Sequence, residues 1–179
     1  MVGALRCVVL VALSGVSFAE IVCPGSEVFI HAGVRVIATL AASCDAVRAE
    51  AVARVEGQAS TWRVPHGGEY MRAELGELGG DLSFSWCSGD GTLFDKMVFS
   101  LTPLESNSTC QVEACSESQT ASLRDRSRNY CNLKMLYCGS EEGCLPVVHD
   151  LHTTAERTKK SRLAEANLRK CSAVPLKLI

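Results

Sequence analysis

The chain has 179 residues, of which 47% are hydrophobic, 21% are charged and ten are cysteines, and its formal net charge is −2. A nearly neutral chain is poorly suited to general nucleic-acid binding, which depends on concentrated positive charge. No run approaches the roughly 20 apolar residues that a membrane-spanning helix needs. We therefore predict neither a nucleic-acid partner nor a membrane span.

The N-terminus has the three-part pattern of a secretory signal peptide. Arg6 precedes the apolar run 8–16, and small residues follow up to Ala19. We expect cleavage after residue 19 and a secreted, extracellular product. In an oxidising environment its nine remaining cysteines are expected to serve mainly in disulfides.

The charge balance changes sign along the secreted part. Residues 20–105 have a balance of −6, whereas residues 106–179 have a balance of +3. This asymmetry predicts two modules. The expected fold class is α+β, with a β-rich, sandwich-like domain at 20–105 and a disulfide-rich, partly helical module at 106–179.

Alternating apolar residues predict strands in the first module. The clearest segments are 82–86 and 97–101, and the glycine-containing turn 88–91 between them predicts a hairpin. Weaker alternation predicts strands at 34–40, 62–64 and 70–75. Turn-forming residues separate these segments at intervals typical of a β-sandwich.

Segment 46–55 fits both a strand and a helix. It alternates like a strand, but it is rich in alanine, and Glu50 and Arg54 have the spacing of a helical ion pair. Asp45 is a candidate N-cap for the helix, and Gly57 a candidate end. Because the neighbouring segments resemble strands, we slightly favour a strand.

The second module begins after a glycosylation motif. Asn107 starts an Asn-Ser-Thr acceptor sequence in a polar stretch, which predicts an exposed, glycosylated linker. Segment 124–138 has helical spacing and ends before Gly139. A second helix is expected after Pro146 and extends to residue 170.

Cysteine pairing is expected to stabilise both modules. Within the two-module arrangement Cys44 pairs with Cys87, and the cysteines from 110 to 171 pair among themselves. The number of cysteines is odd, and we expect Cys23 to be unpaired or to join two chains in a covalent homodimer. The spacings do not favour zinc, and no metal or cofactor is expected. The disulfide candidates are Cys44, Cys87, Cys110, Cys115, Cys131, Cys138, Cys144 and Cys171.

No catalytic motif stands out, because the sequence contains neither a Gly-x-Ser-x-Gly nucleophile motif nor a recognisable cysteine-protease signature. We therefore expect a non-enzymatic binding module whose partner is an extracellular protein or glycan. Three basic residues on the expected second helix, Lys159, Lys160 and Arg162, are candidates for binding a polyanion.

A second hypothesis comes from segment 131–138. Its two cysteines enclose six residues that include Leu136 and Tyr137, and the segment resembles the helix of Kazal-type protease inhibitors. The resemblance covers about eight residues, and positions 116–130 lack the further cysteine of that family. It implies a degenerate, Kazal-like serine protease inhibitor with its reactive loop after Cys115.

Overall fold

The computed structural model describes residues 21–58, 62, 64, 67–72, 82–104, 107–122 and 124–171, so the predicted signal peptide lies outside it. These residues contain six strands, three α-helices and a short 3-10 helix at Ser140–Glu142. In chain order the strands and α-helices are β1 (Gly33–Leu40), α1 (Cys44–Gly57), β2 (Glu69–Arg72), β3 (Leu82–Cys87), β4 (Phe94–Leu104), β5 (Thr109–Ser118), α2 (Arg128–Lys134), β6 (Thr153–Lys160) and α3 (Leu168–Cys171).

The six strands form one antiparallel sheet in the order β2-β3-β4-β5-β1-β6. Helix α1 packs over β4, β5 and β2, and α2 packs over β5 and β1. The predicted α+β class is confirmed. The sandwich expectation is wrong for the described residues, because helices rather than a second sheet cover the apolar face.

The structure does not show the predicted division near residue 106. Strand β1 lies between β5 and β6, so strands from both sides of that position pair with one another. The Cys23–Cys115 and Cys44–Cys110 disulfides also join the two sides. The change in charge along the sequence therefore has no counterpart in the organisation of the sheet.

The clearest strand predictions are confirmed. Strands β3 and β4 form a hairpin, with Leu82 opposite Phe99 and Trp86 opposite Asp95. The alternation predicted β1 and part of β2 as well. Trp62 and Val64 lie outside any strand, and residues 73–75 of the predicted fourth strand lie outside the described residues.

Segment 46–55 belongs to helix α1, so the slight preference for a strand is wrong. Ser43, rather than Asp45, caps the helix by accepting the Ala46 backbone N–H at 3.2 Å. Val47, Ala51 and Val55 are four residues apart and are buried against the sheet. Helical spacing thus provides this segment with its apolar contact surface.

The helix predicted from 146 to 170 is also wrong, because residues 153–160 form β6 and only Leu168–Cys171 are α-helical. Strand β6 pairs with β1 along nearly its whole length. Its β-branched threonines suit an extended strand. The pairing with β1, which lies far away in sequence, supplies backbone hydrogen bonds that a sparse apolar pattern did not predict.

Candidate functional site

The face of the sheet opposite the helices, called the back face here, is crossed by an N-terminal segment, residues 21–31. The Cys23–Cys115 disulfide attaches this segment to β5. Arg35 also donates a hydrogen bond to the Ile21 carbonyl at 2.5 Å, and Gln119 donates one to the Gly25 carbonyl at 2.7 Å. A segment without regular secondary structure is thereby fixed in place.

A cleft of about 580 Å³ lies between this segment and the start of β4. Val28 and Phe94 contribute apolar wall, and Glu27 and Lys96 contribute opposite charges. Next to it in sequence, the N-terminal segment exposes three large apolar side chains. Their exposed fractions are 75% for Val22, 99% for Phe29 and 48% for Ile30.

The cysteine arrangement differs from the expectation. The described residues contain four disulfides, and the unpaired cysteine is Cys87, which is half-buried on β3. Cys23 is bonded because the N-terminal segment passes directly over β5, and Cys44 pairs with Cys110 instead of Cys87. The four pairs are Cys23–Cys115, Cys44–Cys110, Cys131–Cys171 and Cys138–Cys144.

Within the described part of the chain, one group of side chains meets the geometric requirement for three metal ligands: Cys23, Cys115 and Glu117. The two sulfur atoms of this group are bonded to each other and are therefore not thiolate ligands. The group is better explained as the attachment point of the N-terminal segment.

Asn107 is exposed in the loop that joins β4 to β5, with a φ of 64°. Because these two strands are neighbours in the sheet, the loop is a hairpin connection and not a linker between domains. Its exposure leaves the acceptor asparagine accessible on the surface.

The three predicted polyanion-binding residues do not share a helix face. Lys159 and Lys160 are consecutive in β6 and therefore point to opposite faces of the sheet, and Arg162 lies in the following turn. The Nζ of Lys160 donates to the Ala164 carbonyl at 3.3 Å. Arg157, which the prediction omitted, lies on the same face as Lys159.

Sequence patterns did not predict the buried charged groups between the helices and the sheet. Arg128 on α2 forms two hydrogen bonds with Asp95 on β4, at 2.7 and 3.1 Å, and a third with Ser118 at 3.0 Å. Asn132 also donates to Asp95, at 2.8 Å. The Arg128 guanidinium lies 5.7 Å from the centroid of the Trp86 ring.

A second buried pair joins α1 to the region after α2. Arg54 binds Glu50 at 2.7 Å and donates to the carbonyls of Met135 and Cys138. Glu50 accepts three backbone N–H groups of residues 147–149. Burial acts to raise the pKa of Glu50, but these backbone hydrogen bonds and Arg54 outweigh it and hold that pKa below its ordinary value.

A third cluster surrounds Lys134, which is almost fully buried. Its Nζ lies 2.5 Å from Glu142 and 2.7 Å from Glu156. The hydroxyls of Tyr130 and Tyr137 donate to Glu156 at 2.8 and 3.0 Å. Burial, followed by the adjacent Glu156, raises the pKa of both tyrosines, so they remain neutral hydrogen-bond donors at physiological pH.

These three clusters bind protein groups from separate elements, so we assign them to the packing of helices and β6 on the sheet. No helix in the described residues has the length and apolar character needed to span a bilayer. Comparison of the chain with protein-family models, with curated proteins and with solved structures found no match.

Proposed function

We propose that the chain is a secreted, disulfide-stabilised glycoprotein that acts as a non-enzymatic recognition module for an extracellular protein or glycan. The observation that carries this proposal is the N-terminal segment. It displays Val22, Phe29 and Ile30 to solvent on a disulfide-attached backbone beside a cleft. An exposed apolar cluster next to charged side chains is typical of interaction surfaces.

The energetics favour recognition by this segment. Burying one large apolar side chain contributes about 1.5–3 kcal/mol, and the three exposed side chains are available for such burial. The disulfide and the hydrogen bonds from Arg35 and Gln119 already order the backbone. Binding therefore has a smaller conformational entropy cost than the ordering of a free tail would have.

The test is photocrosslinking from position 29. A photoreactive amino acid replaces Phe29 in the secreted protein, and the matched control replaces Leu145, which is 57% exposed in another loop. In the extracellular medium of the source cells, we expect a saturable crosslinked species from position 29 and none from position 145. Equal crosslinking from both positions would contradict the proposal, as would hydrolysis of peptide or glycan substrates that a single carboxylate substitution abolishes.

A covalent homodimer is a second feature of this proposal, and its candidate residue is Cys87. The described structure leaves this thiol unpaired and half-buried. A dimer linked through Cys87 would run at twice the chain mass on a non-reducing gel, and Cys87→Ser would convert it to the monomer. Persistence of the dimer in Cys87→Ser would exclude this link.

Protease inhibition is the alternative function, and one loop favours it. Arg124 and Arg126 are exposed on either side of buried Asp125, between Cys115 and Cys131. Asp125 accepts hydrogen bonds from the backbone N–H groups of Ser127 and Glu165, which fixes this loop. An inhibitor would block a trypsin-like protease stoichiometrically, and Arg126→Ala would weaken that inhibition, whereas a recognition module would leave the protease active.

A further inference from the structure

Strand β6 forms one edge of the sheet, and basic residues are concentrated on it. Arg157, Lys159 and Lys160 are all exposed, and exposed Arg162 follows in the next turn. Charged side chains on an edge strand discourage pairing with another sheet. That role does not depend on which face of the sheet the charges occupy.

The strand register places two of these cations on the back face. Lys159 pairs with Arg35, and Arg157 pairs with Ile37. Residues two apart in a strand lie on the same side, with about 6.7 Å between their Cα atoms. Arg35 brings a third positive charge beside Lys159, although its Nη2 already donates to the Ile21 carbonyl.

Nearby acidic groups are engaged elsewhere. Glu156 points to the helical side of the sheet, where it binds Lys134. Glu113, two strands from Arg157, accepts hydrogen bonds from the Ile21 backbone N–H and from Gln111. In the part of the chain that the structure describes, neither Arg157 nor Lys159 has an acidic partner.

We propose that the back-face edge formed by Arg157 and Lys159 binds a sulfated glycan chain. Arginine and lysine recognise sulfate oxygens through charge-assisted hydrogen bonds, and a line of cations along a strand suits a linear polymer with repeated anions. Strand β6 exposes no large apolar side chain for insertion into a lipid surface. The inference rests on the proposed extracellular recognition role but uses a different surface from the N-terminal segment.

The experiment measures binding of the full secreted protein to immobilised heparin at physiological salt. We expect Lys159→Gln to weaken binding about fivefold and the Arg157→Gln/Lys159→Gln variant at least about tenfold. The matched control is Lys160→Gln. It removes the same charge from the adjacent residue, but Lys160 points to the other face and its Nζ bonds to Ala164, so we expect a change of less than about twofold.

Three results would overturn the inference: equal losses from Lys159→Gln and Lys160→Gln, unchanged binding to heparin from which the sulfates have been removed, or tighter binding to phosphatidylserine vesicles than to heparin. Binding that weakens as salt rises from 0.05 to 0.5 M supports an electrostatic contact only together with the face-specific loss. Crosslinking from position 29 does not involve β6, so failure of the glycan site and failure of the proposed recognition role are distinguishable.

Discussion

At the scale of single residues, the most consequential feature is the number of charged side chains buried beneath the helices. Asp95, Glu50 and Arg54 are completely buried, and Arg128 and Lys134 are nearly so. A buried charge is tolerated when it is paired and its hydrogen-bonding groups are satisfied. Removing one member of such a pair is therefore more costly than removing a surface charge.

The Asp95–Arg128 pair provides a direct test. Asp95→Ala leaves the Arg128 guanidinium buried without its carboxylate, and we expect a loss of about 3–5 kcal/mol in the free energy of unfolding. The control is Glu56→Ala, because Glu56 pairs with Arg72 at 3.7 Å on the surface and such pairs contribute less than about 1 kcal/mol. Urea unfolding measures both variants, and equal losses would show that the buried pair has no special role.

Glu50 predicts a specific dependence of stability on pH. Its folded-state pKa lies below the ordinary value of 4.5, so its carboxylate stabilises the fold above that pH. This contribution declines as the pH falls through the folded-state pKa. The difference in unfolding free energy between the native chain and Glu50→Gln should thus be largest near pH 7 and shrink at acidic pH. Urea titrations at several pH values test this, and a constant difference would contradict it.

At the scale of elements, the hairpin β3–β4 was predictable, whereas α1 and β6 were not. Leu82, Phe84 and Trp86 alternate with serines, so their pattern is determined locally. The conformation of β6 depends on pairing with β1, more than a hundred residues away in sequence. No local pattern contains that information, and the same applies to the binding of Arg128 by Asp95. The exposure of Phe29 likewise required the three-dimensional path of the N-terminal segment.

The disulfides connect these elements over very different distances in sequence. Cys44–Cys110 joins the start of α1 to β5 across 66 residues, whereas Cys138–Cys144 spans six. Chain entropy predicts that the longer loop contributes about 4 kcal/mol and the shorter about 2 kcal/mol. We expect Cys44→Ser/Cys110→Ser to lower the melting temperature more than Cys138→Ser/Cys144→Ser does. The reverse order, measured by calorimetry, would show that local packing outweighs chain entropy.

At the scale of the whole molecule, strand order determines how the two halves of the chain depend on each other. Strand β1 comes from the first half, but both its neighbours, β5 and β6, come from the second. Without the second half, β1 would lose every backbone partner it has in the sheet. The exposed edge and the uncovered apolar face would then favour aggregation over folding.

Cleavage and truncation at the β4–β5 loop should therefore have opposite effects. A protease site inserted in this loop leaves the Cys23–Cys115 and Cys44–Cys110 links intact, so the cleaved protein should retain its circular dichroism spectrum and separate into two pieces only after reduction. Fragment 20–105 expressed alone lacks β5, β6 and both cysteine partners, and we expect it to show no cooperative thermal unfolding. A cooperative transition in that fragment would demonstrate an independent first domain, and separation of the cleaved halves without reductant would exclude the two disulfides that cross residue 106.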